Sequence, residues 1–405
     1  MIIKRFGITV FCLLGLFVGT AAASEADAIA ISQNIRARHM PFGVVVDPIF
    51  ASPDSEQIVG YTRCGDSAIW TGHYLAAEAF RYNVTRSAEA LNNVKVALAG
   101  IASLLNVTGT NLLARCLIPV NSQYAPAIIQ EEAGNGIYQN TQAGYYWIGN
   151  TSRDQYSGVF FGLGVAYDLV DNAEVRAAIA PLVTLLLDFL RGHNWFLTMP
   201  DGTVSTTFAG RPDQQLSLLQ VGRQVNSARF STTYDLYRFF YAAQTIVPIS
   251  LEVLSDDSYF KFNLDTINLF DLVRLESSSF GGIYRDAYNV LRRHTDDHGN
   301  AFFNMIDRAL NGPNGVRDNE TLLMLDQWLL RPRRDVPTDL RGLYPACGAV
   351  DRACAPIPIV DRVRTDFLWQ RSPFQLVGLG TGRIEAAGID YILPYWMARY
   401  YGLAY

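Results

Sequence analysis

After residue 23 the sequence contains no apolar run long enough to cross a bilayer, which takes roughly 20 consecutive residues, and this excludes a helical span from the rest of the chain. A clustered basic face is also missing. Across 405 residues 33 Lys and Arg stand against 38 Asp and Glu, a formal net charge of −5, and nothing in that balance invites nucleic acid. Cysteine is scarce, with five residues and no CxxC spacing, so a structural zinc site has no ligand set. There is no GxSxG and no HExxH. "GLGTG" (Gly378–Gly382) does not have the glycine spacing of a dinucleotide or phosphate loop. "GDS" (Gly65–Ser67) resembles a serine-hydrolase block but has no buried strand before it and no Asp-x-x-His later. Alternating strand patterns are few, and "DGTVSTTF" is the best candidate for a short hairpin arm.

What is present begins with an address. Lys4 and Arg5 precede an apolar stretch from Phe6 to about Gly19, and Ala21-Ala22-Ala23 supplies small residues before Ser24. This is the layout of a cleaved secretory signal over residues 1–23, and its short form with an AxA-type site suits a bacterial periplasmic or secreted protein. Without Lys4 and Arg5, 31 basic residues face 38 acidic ones, a net of −7. Four cysteines remain in the mature chain. Cys347 and Cys354 are close neighbours in a proline-rich stretch and are expected to form a local disulfide, with Cys64–Cys116 following by elimination.

Helical periodicity dominates the rest. Helices are expected over about 25–39, 66–82, 87–105, 153–171, 174–192, 214–225, 231–254, 257–276, 281–293, 298–310, 319–331 and 388–402. Two stretches resist helix, about 119–150 and 332–388, and their aromatic content argues for ordered loops. The expectation is one all-α domain, residues 24–405, built of helix pairs.

Two of these helices share a design. "TSRDQYSGVFFGLGVAYDLV" (Thr151–Val170) and "GDSAIWTGHYLAAEAF" (Gly65–Phe80) each place an aspartate at the start of a run of apolar and small residues. Small residues let helices approach closely, and the N-terminal ends favour anions by a few tenths to about 1 kcal/mol. Together with the closing "GIDYILPYWMARYYG", these segments resemble the six-hairpin glycosidases, the (α/α)6-toroid enzymes, over most of the mature chain. The resemblance implies glycan hydrolysis in a funnel lined by carboxylates and aromatic rings, with an oligo- or polysaccharide as substrate.

Glycoside hydrolysis uses two carboxyl groups across the scissile bond, one as acid and one as base or nucleophile. Asp154 and Asp66 lead as bases because both begin inner helices, and Glu131, Glu132 and Asp390 are the candidate acids; Asp286 is a further possibility. The expected stereochemical course is inversion. An aspartate at such a position ordinarily serves as a helix cap or first-turn charge, so each candidate must be weighed against that use. Sugar binding would draw on Arg153, Gln155, Tyr156, Trp70, His73, Tyr145, Tyr146, Trp147, Trp369, Trp396 and Arg371, although most rings in a chain this aromatic fill the core. A polysaccharide lyase would use Tyr156 or His73 as base and Arg153 as neutraliser of a uronate. A non-catalytic glycan-binding or envelope-assembly protein could use the same groove. His294 and His298 in "HTDDH" would share a face on one continuous helix, but the stretch reads as a helix end followed by a new start, so no metal is expected. No cofactor is expected, and the chain is expected to be a monomer.

Overall fold

A computed structural model describes residues 23–255, 258–347 and 354–403, so the expected signal segment before Ala23 lies outside the described residues. The protein is mostly helical. In chain order the helices are α1 (Glu25–Asn34), α2 (Ser67–Thr85), α3 (Ala88–Asn106), α4 (Ala125–Glu131), α5 (Arg153–Leu169), α6 (Ala173–Gly192), α7 (Pro212–Val225), α8 (Ser227–Tyr241), α9 (Ile246–Ser255), α10 (Tyr259–Leu275), α11 (Phe280–Thr295), α12 (Ala301–Asn311), α13 (Gly315–Leu329) and α14 (Ile389–Tyr400). Side chains fix several starts: Ser87 accepts from Ala90 N–H, Asn172 from Val175 N–H and Asn300 from Phe303 N–H.

Six helices are packing neighbours in succession. α2 lies against α5, α5 against α7, α7 against α10, α10 against α12, α12 against α14, and α14 against α2. Each has a companion from an adjacent part of the chain or, for α14, from its beginning: α3 on α2, α6 on α5, α8 on α7, α11 on α10, α13 on α12 and α1 on α14. Burial separates the two sets. Ser67 to Arg81 of α2, Asp154 to Ala166 of α5 and Ile389 to Ala398 of α14 are buried at every position, as expected for helices enclosed on all sides. α3 instead buries a stripe that includes Ala90, Val94, Ala97, Ile101 and Leu104 and leaves its other face to solvent.

The glycines of α2 and α5 set the closest approach. A Cβ on Gly72 would lie 2.1 Å from the Gly158 carbonyl oxygen, and one on Gly162 would lie 2.3 Å from the Gly72 oxygen. Only a hydrogen fits at these contacts, which is why the sequence threads glycine through helices that are otherwise apolar.

Short sheets decorate one end. β1 (Asp47–Phe50) pairs with β2 (Ile58–Thr62), and β5 (Tyr145–Ile148) lies between β3 (Cys116–Pro119) and β4 (Ile137–Asn140). β6 (Phe196–Thr198) pairs with β7 (Val204–Thr207), which is the hairpin arm expected at "DGTVSTTF". β8 (Thr338–Asp339) pairs with β9 (Val377–Gly378).

Three expectations need correction. The stretch 119–150 holds α4 and two strands, in which Tyr138 of β4 stands opposite Trp147 of β5, itself opposite Leu117 of β3. The single helix expected over 231–254 is two helices, α8 and α9, separated by a 3-10 turn at Ala242–Gln244. Cys347 and Cys354 are bonded as expected, but Cys64 and Cys116 are free, buried thiols. The Ala68 N–H already bonds the Arg115 carbonyl at 2.9 Å, so the turn at Cys64 is held against β3 without a covalent link.

Candidate functional site

The first turns of α2 and α5 meet through one side chain. Gln155 accepts from the Ile69 N–H at 2.9 Å, and its amide nitrogen donates to Asp66 at 3.2 Å and to Asp154 at 3.1 Å. Two contacts of 3.2 and 3.1 Å to one nitrogen keep these carboxyl oxygens within roughly 6 Å of each other, closer than the roughly 6.5–9.5 Å between the acid and base of an inverting glycosidase, so the two are not themselves such a pair. Neither group is used as a cap. Asp66 precedes α2 without a side-chain capping bond, and Ser152, not Asp154, holds the cap position of α5. Asp154 still places its charge in the first turn of α5, but neither side chain makes a capping hydrogen bond.

Arg115 fixes the geometry from below. Its guanidinium donates to the Gly65 carbonyl at 2.7 Å, to the Asn150 carbonyl at 2.9 Å and to Ser152 Oγ at 2.7 Å, and stands 3.7 Å from Asp66. It thus binds the entrances of both helices. Burial and then the charges of Asp154 and Asp366 push the Asp66 carboxyl up to about 6, against the pull of Arg115 and Arg371. Its side chain is 33% exposed, so it reaches solvent.

A third carboxylate reaches this end from the loop before α14. Asp366 is buried and accepts from Arg371 at 3.1 Å. Burial works to raise its pKa, but Arg63 and Arg371 outweigh that effect and hold the group below the ordinary carboxylate range. Asp366, Arg63 and Trp70 also line a cavity of about 10 Å³, room for about one water. Two neighbouring carboxyl groups are therefore driven in opposite directions, Asp66 upward and Asp366 downward.

The same end of the helices includes the starts of α7 and α10. Arg211 donates to Asp213 at 2.8 Å and to Asp265 at 2.8 Å, and also reaches Glu252 on α9. Beside this cluster stands Arg153. Burial, then repulsion by Arg211, lowers its pKa, and it has no hydrogen bond or ion pair among the described residues. Leu368 N–H donates to Asp390 at 3.2 Å and Asn300 donates to the Trp369 carbonyl at 3.0 Å, which brings the first turns of α14 and α12 to the same end.

The expected site residues separate into groups. Asp66, Asp154, Gln155, Arg153 and Arg371 share this end of the molecule. Glu132 accepts from the Gly65 N–H at 2.7 Å and from Asn135 at 2.6 Å, so it braces the Asp66 turn. Glu131, the last residue of α4, accepts from Thr62 and from the Arg63 N–H at 3.4 Å. Asp390 is buried, its pKa raised by burial, and supports the 366–371 segment. Asp286 is exposed on α11 and makes no hydrogen bond or ion pair with Asp66, Asp154 or Gln155.

Most of the rings are occupied by packing. The Tyr156 hydroxyl accepts from the Leu113 N–H at 3.1 Å and is fully buried, with its pKa raised by that burial. His73 bonds the Ile69 carbonyl at 2.8 Å through Nδ1, which leaves Nε2 without a hydrogen bond. Burial lowers His73 to about 4, and the rings of Trp70, Phe161, Phe302 and Phe367 surround it. Trp147 stacks on Tyr138 at 4.4 Å, Trp369 donates to the Asp390 carbonyl at 2.6 Å, and Trp396 is buried in α14. Tyr145 and Tyr146 are half-buried on β5, and Trp70 stacks on Phe367 at 4.6 Å. Among the described residues no cluster of His, Cys, Asp and Glu is placed to hold a metal.

Arg115, Asp366, Arg63 and Arg211 were not singled out from the sequence. Each lies in a loop or at an element boundary where periodicity carries no signal. A larger cavity of about 340 Å³ lies at the opposite end, lined by Phe80, Asp168, Phe270, Arg274, Tyr400 and Tyr401. Its acid and base are already joined, since Arg274 pairs with Asp168 and Asp271.

Comparison with models of known protein families, with curated proteins and with solved structures found no match.

Proposed function

We propose that the chain is an exported glycan-active enzyme of the (α/α)6-toroid kind, and that it acts as an inverting glycoside hydrolase. The cyclic order of packing neighbours, the enclosed inner helices and their outer companions support the toroid reading. The observation that carries the function is the pair of non-capping aspartates on the Gln155 amide, with Asp66 raised to about 6. A carboxyl that keeps its proton near neutrality is the property a general acid needs, and Asp366, held ionised by two arginines, has the complementary property of a base. In this reading Asp66 gives its proton to the leaving oxygen while Asp366 activates water, and Asp154 sustains the raised pKa of Asp66 by its charge. A lyase has less support, because Tyr156 and His73 are both enclosed.

The test is a glycan panel assayed for new reducing ends, with Asp66→Asn, Asp154→Asn and Asp366→Asn compared with the parent. Hydrolysis by the parent, reduced at least about a hundredfold in Asp66→Asn and Asp366→Asn with unchanged helical content, is the expected result. Unsaturated, ultraviolet-absorbing products would replace hydrolysis with elimination. Tight binding without turnover would make the protein a glycan binder.

A further inference from the structure

The cavity at the opposite end of the helices from Asp66 has a lining of a different kind. It holds about 340 Å³, within the range of small-molecule pockets. Phe80 of α2, Phe270 of α10, and Tyr400 and Tyr401 at the end of α14 supply rings, while Asp168 of α5 and Arg274 of α10 supply charges. Three of the rings meet at steep angles. The centroid of Phe80 lies 5.3 Å from that of Tyr400 at 63° and 6.0 Å from that of Tyr401 at 57°. Tyr400 and Tyr401 lie 4.9 Å apart at 80°. Rings so inclined form a corner. A flat ligand stacks on only one of them, whereas a compact, rounded group touches all three.

A corner of rings beside a carboxylate favours a cation, because each ring face carries the negative part of its quadrupole. The fold already uses one ring here in that way: the Arg274 guanidinium stands 5.1 Å from the Phe270 centroid. That one guanidinium is shared between two acids, Asp168 and Asp271. Burial raises Asp271 to about 7 against the pull of Arg274, so above that pH the three groups together are net negative. Arg308 donates to the Tyr401 carbonyl at 3.0 Å, but its charge is answered by Asp318. Asp168 lies in the last turn of α5, Arg274 in the last turn of α10, and Tyr400 ends α14, so three helix C-termini add negative partial charge.

We propose that this cavity binds a small methylated ammonium ion, a choline-like cation seated against Phe80, Tyr400 and Tyr401 and facing Asp168. A methylated ammonium gives up less hydration on entering a ring-lined site than a primary amine does. The way in is open, since the Asp168 side chain is 32% and Tyr400 37% exposed. The site is independent of the glycan reading, because it shares no residue with the Asp66 end.

Isothermal titration calorimetry at about pH 8 and low ionic strength tests it. The ligands are choline and its uncharged isostere, in which a tert-butyl group replaces the trimethylammonium. Choline is expected to bind with a Kd below about 1 mM, and the isostere at least about tenfold more weakly. Tyr400→Ala should weaken choline binding about tenfold or more, while Tyr400→Phe, which keeps the ring, should leave it within about twofold. Circular dichroism checks that each variant folds. Flotation with phosphatidylcholine vesicles that Tyr400→Ala abolishes, without binding of free choline, would assign the same cation to a lipid headgroup. Binding of neither choline nor the vesicles overturns the proposal. So does equal binding of the uncharged isostere, or an unchanged affinity in Tyr400→Ala.

Discussion

Asp66 and Asp154, 88 positions apart in the sequence, accept hydrogen bonds from the same nitrogen of Gln155, at 3.2 and 3.1 Å. Neither carboxylate caps its helix, and the proximity of the two charges is one reason Asp66 holds its proton to about 6.

The stability of the fold should record that proton. Asp66 moves from an ordinary 3.8 to about 6 on folding. Between those values the folded chain binds a proton that the unfolded chain has lost, so stability falls as pH rises through the window and levels off above it. For a side chain 33% exposed the effect is about 1–2 kcal/mol after screening. Denaturant titrations of the parent and Asp66→Asn at about pH 4 and pH 8 measure it: the variant should gain on the parent only at the higher pH. If Asp66 is the catalytic acid, turnover falls above about pH 6 in the parent.

Gln155→Met removes the donor shared by the two carboxylates and the acceptor of the Ile69 N–H. A buried N–H left without a partner costs about 1–3 kcal/mol. Loss of a bond to the charged form also moves Asp66 further upward, so the pH window above should shift to higher pH in this variant. A lower melting temperature with an unshifted window would separate the packing role of Gln155 from its electrostatic one.

Glycine contacts make a sharper test of the helix packing. Gly72→Ala and Gly162→Ala each drive a methyl group into backbone oxygen and should cost about 3 kcal/mol or more. Gly192→Ala at the end of α6 meets nothing within 4 Å and should instead stabilise by about 0.4–1 kcal/mol. Chemical denaturation of the three variants orders them.

Cys64 and Cys116 are both fully buried, and the Cys64 thiol is held well above its ordinary pKa, chiefly by its hydrogen bond to Cys116 and by burial. A thiol reagent should find neither of these sulfurs in the native protein and both after denaturation without reductant. Finding neither reactive after denaturation would mean that these two sulfurs are joined to each other.

The helices were legible because apolar spacing and capping residues are local. Arg153–Leu169 and Ala173–Gly192 lie within two residues of the expected spans. Helix α4 was not legible, since "APAIIQE" is a short helix inside a stretch dominated by turn formers and strand-forming rings. At the site, Asp66 and Asp154 stood out because an acid leading a small, apolar helix is a recognisable pattern. Arg115 and Asp366 did not, because what makes them matter is whom they meet: Arg115 holds Gly65 and Ser152, and Asp366 answers to Arg63 and Arg371. Glu132 was legible as an acid near the mouth, but its engagement with the Gly65 N–H depends on a turn no window of sequence displays.

Helix α1 packs on α14, and Glu25 meets Arg399 at 2.9 Å. The earliest described helix therefore finds its place only when the latest one has emerged. A chain that emerges from one end cannot finish this architecture halfway: its leading helix must wait, solvated and unpaired, for nearly the whole length to follow. Such an arrangement delays closure until synthesis is nearly complete, and it makes loss of α14 a defect felt at α1.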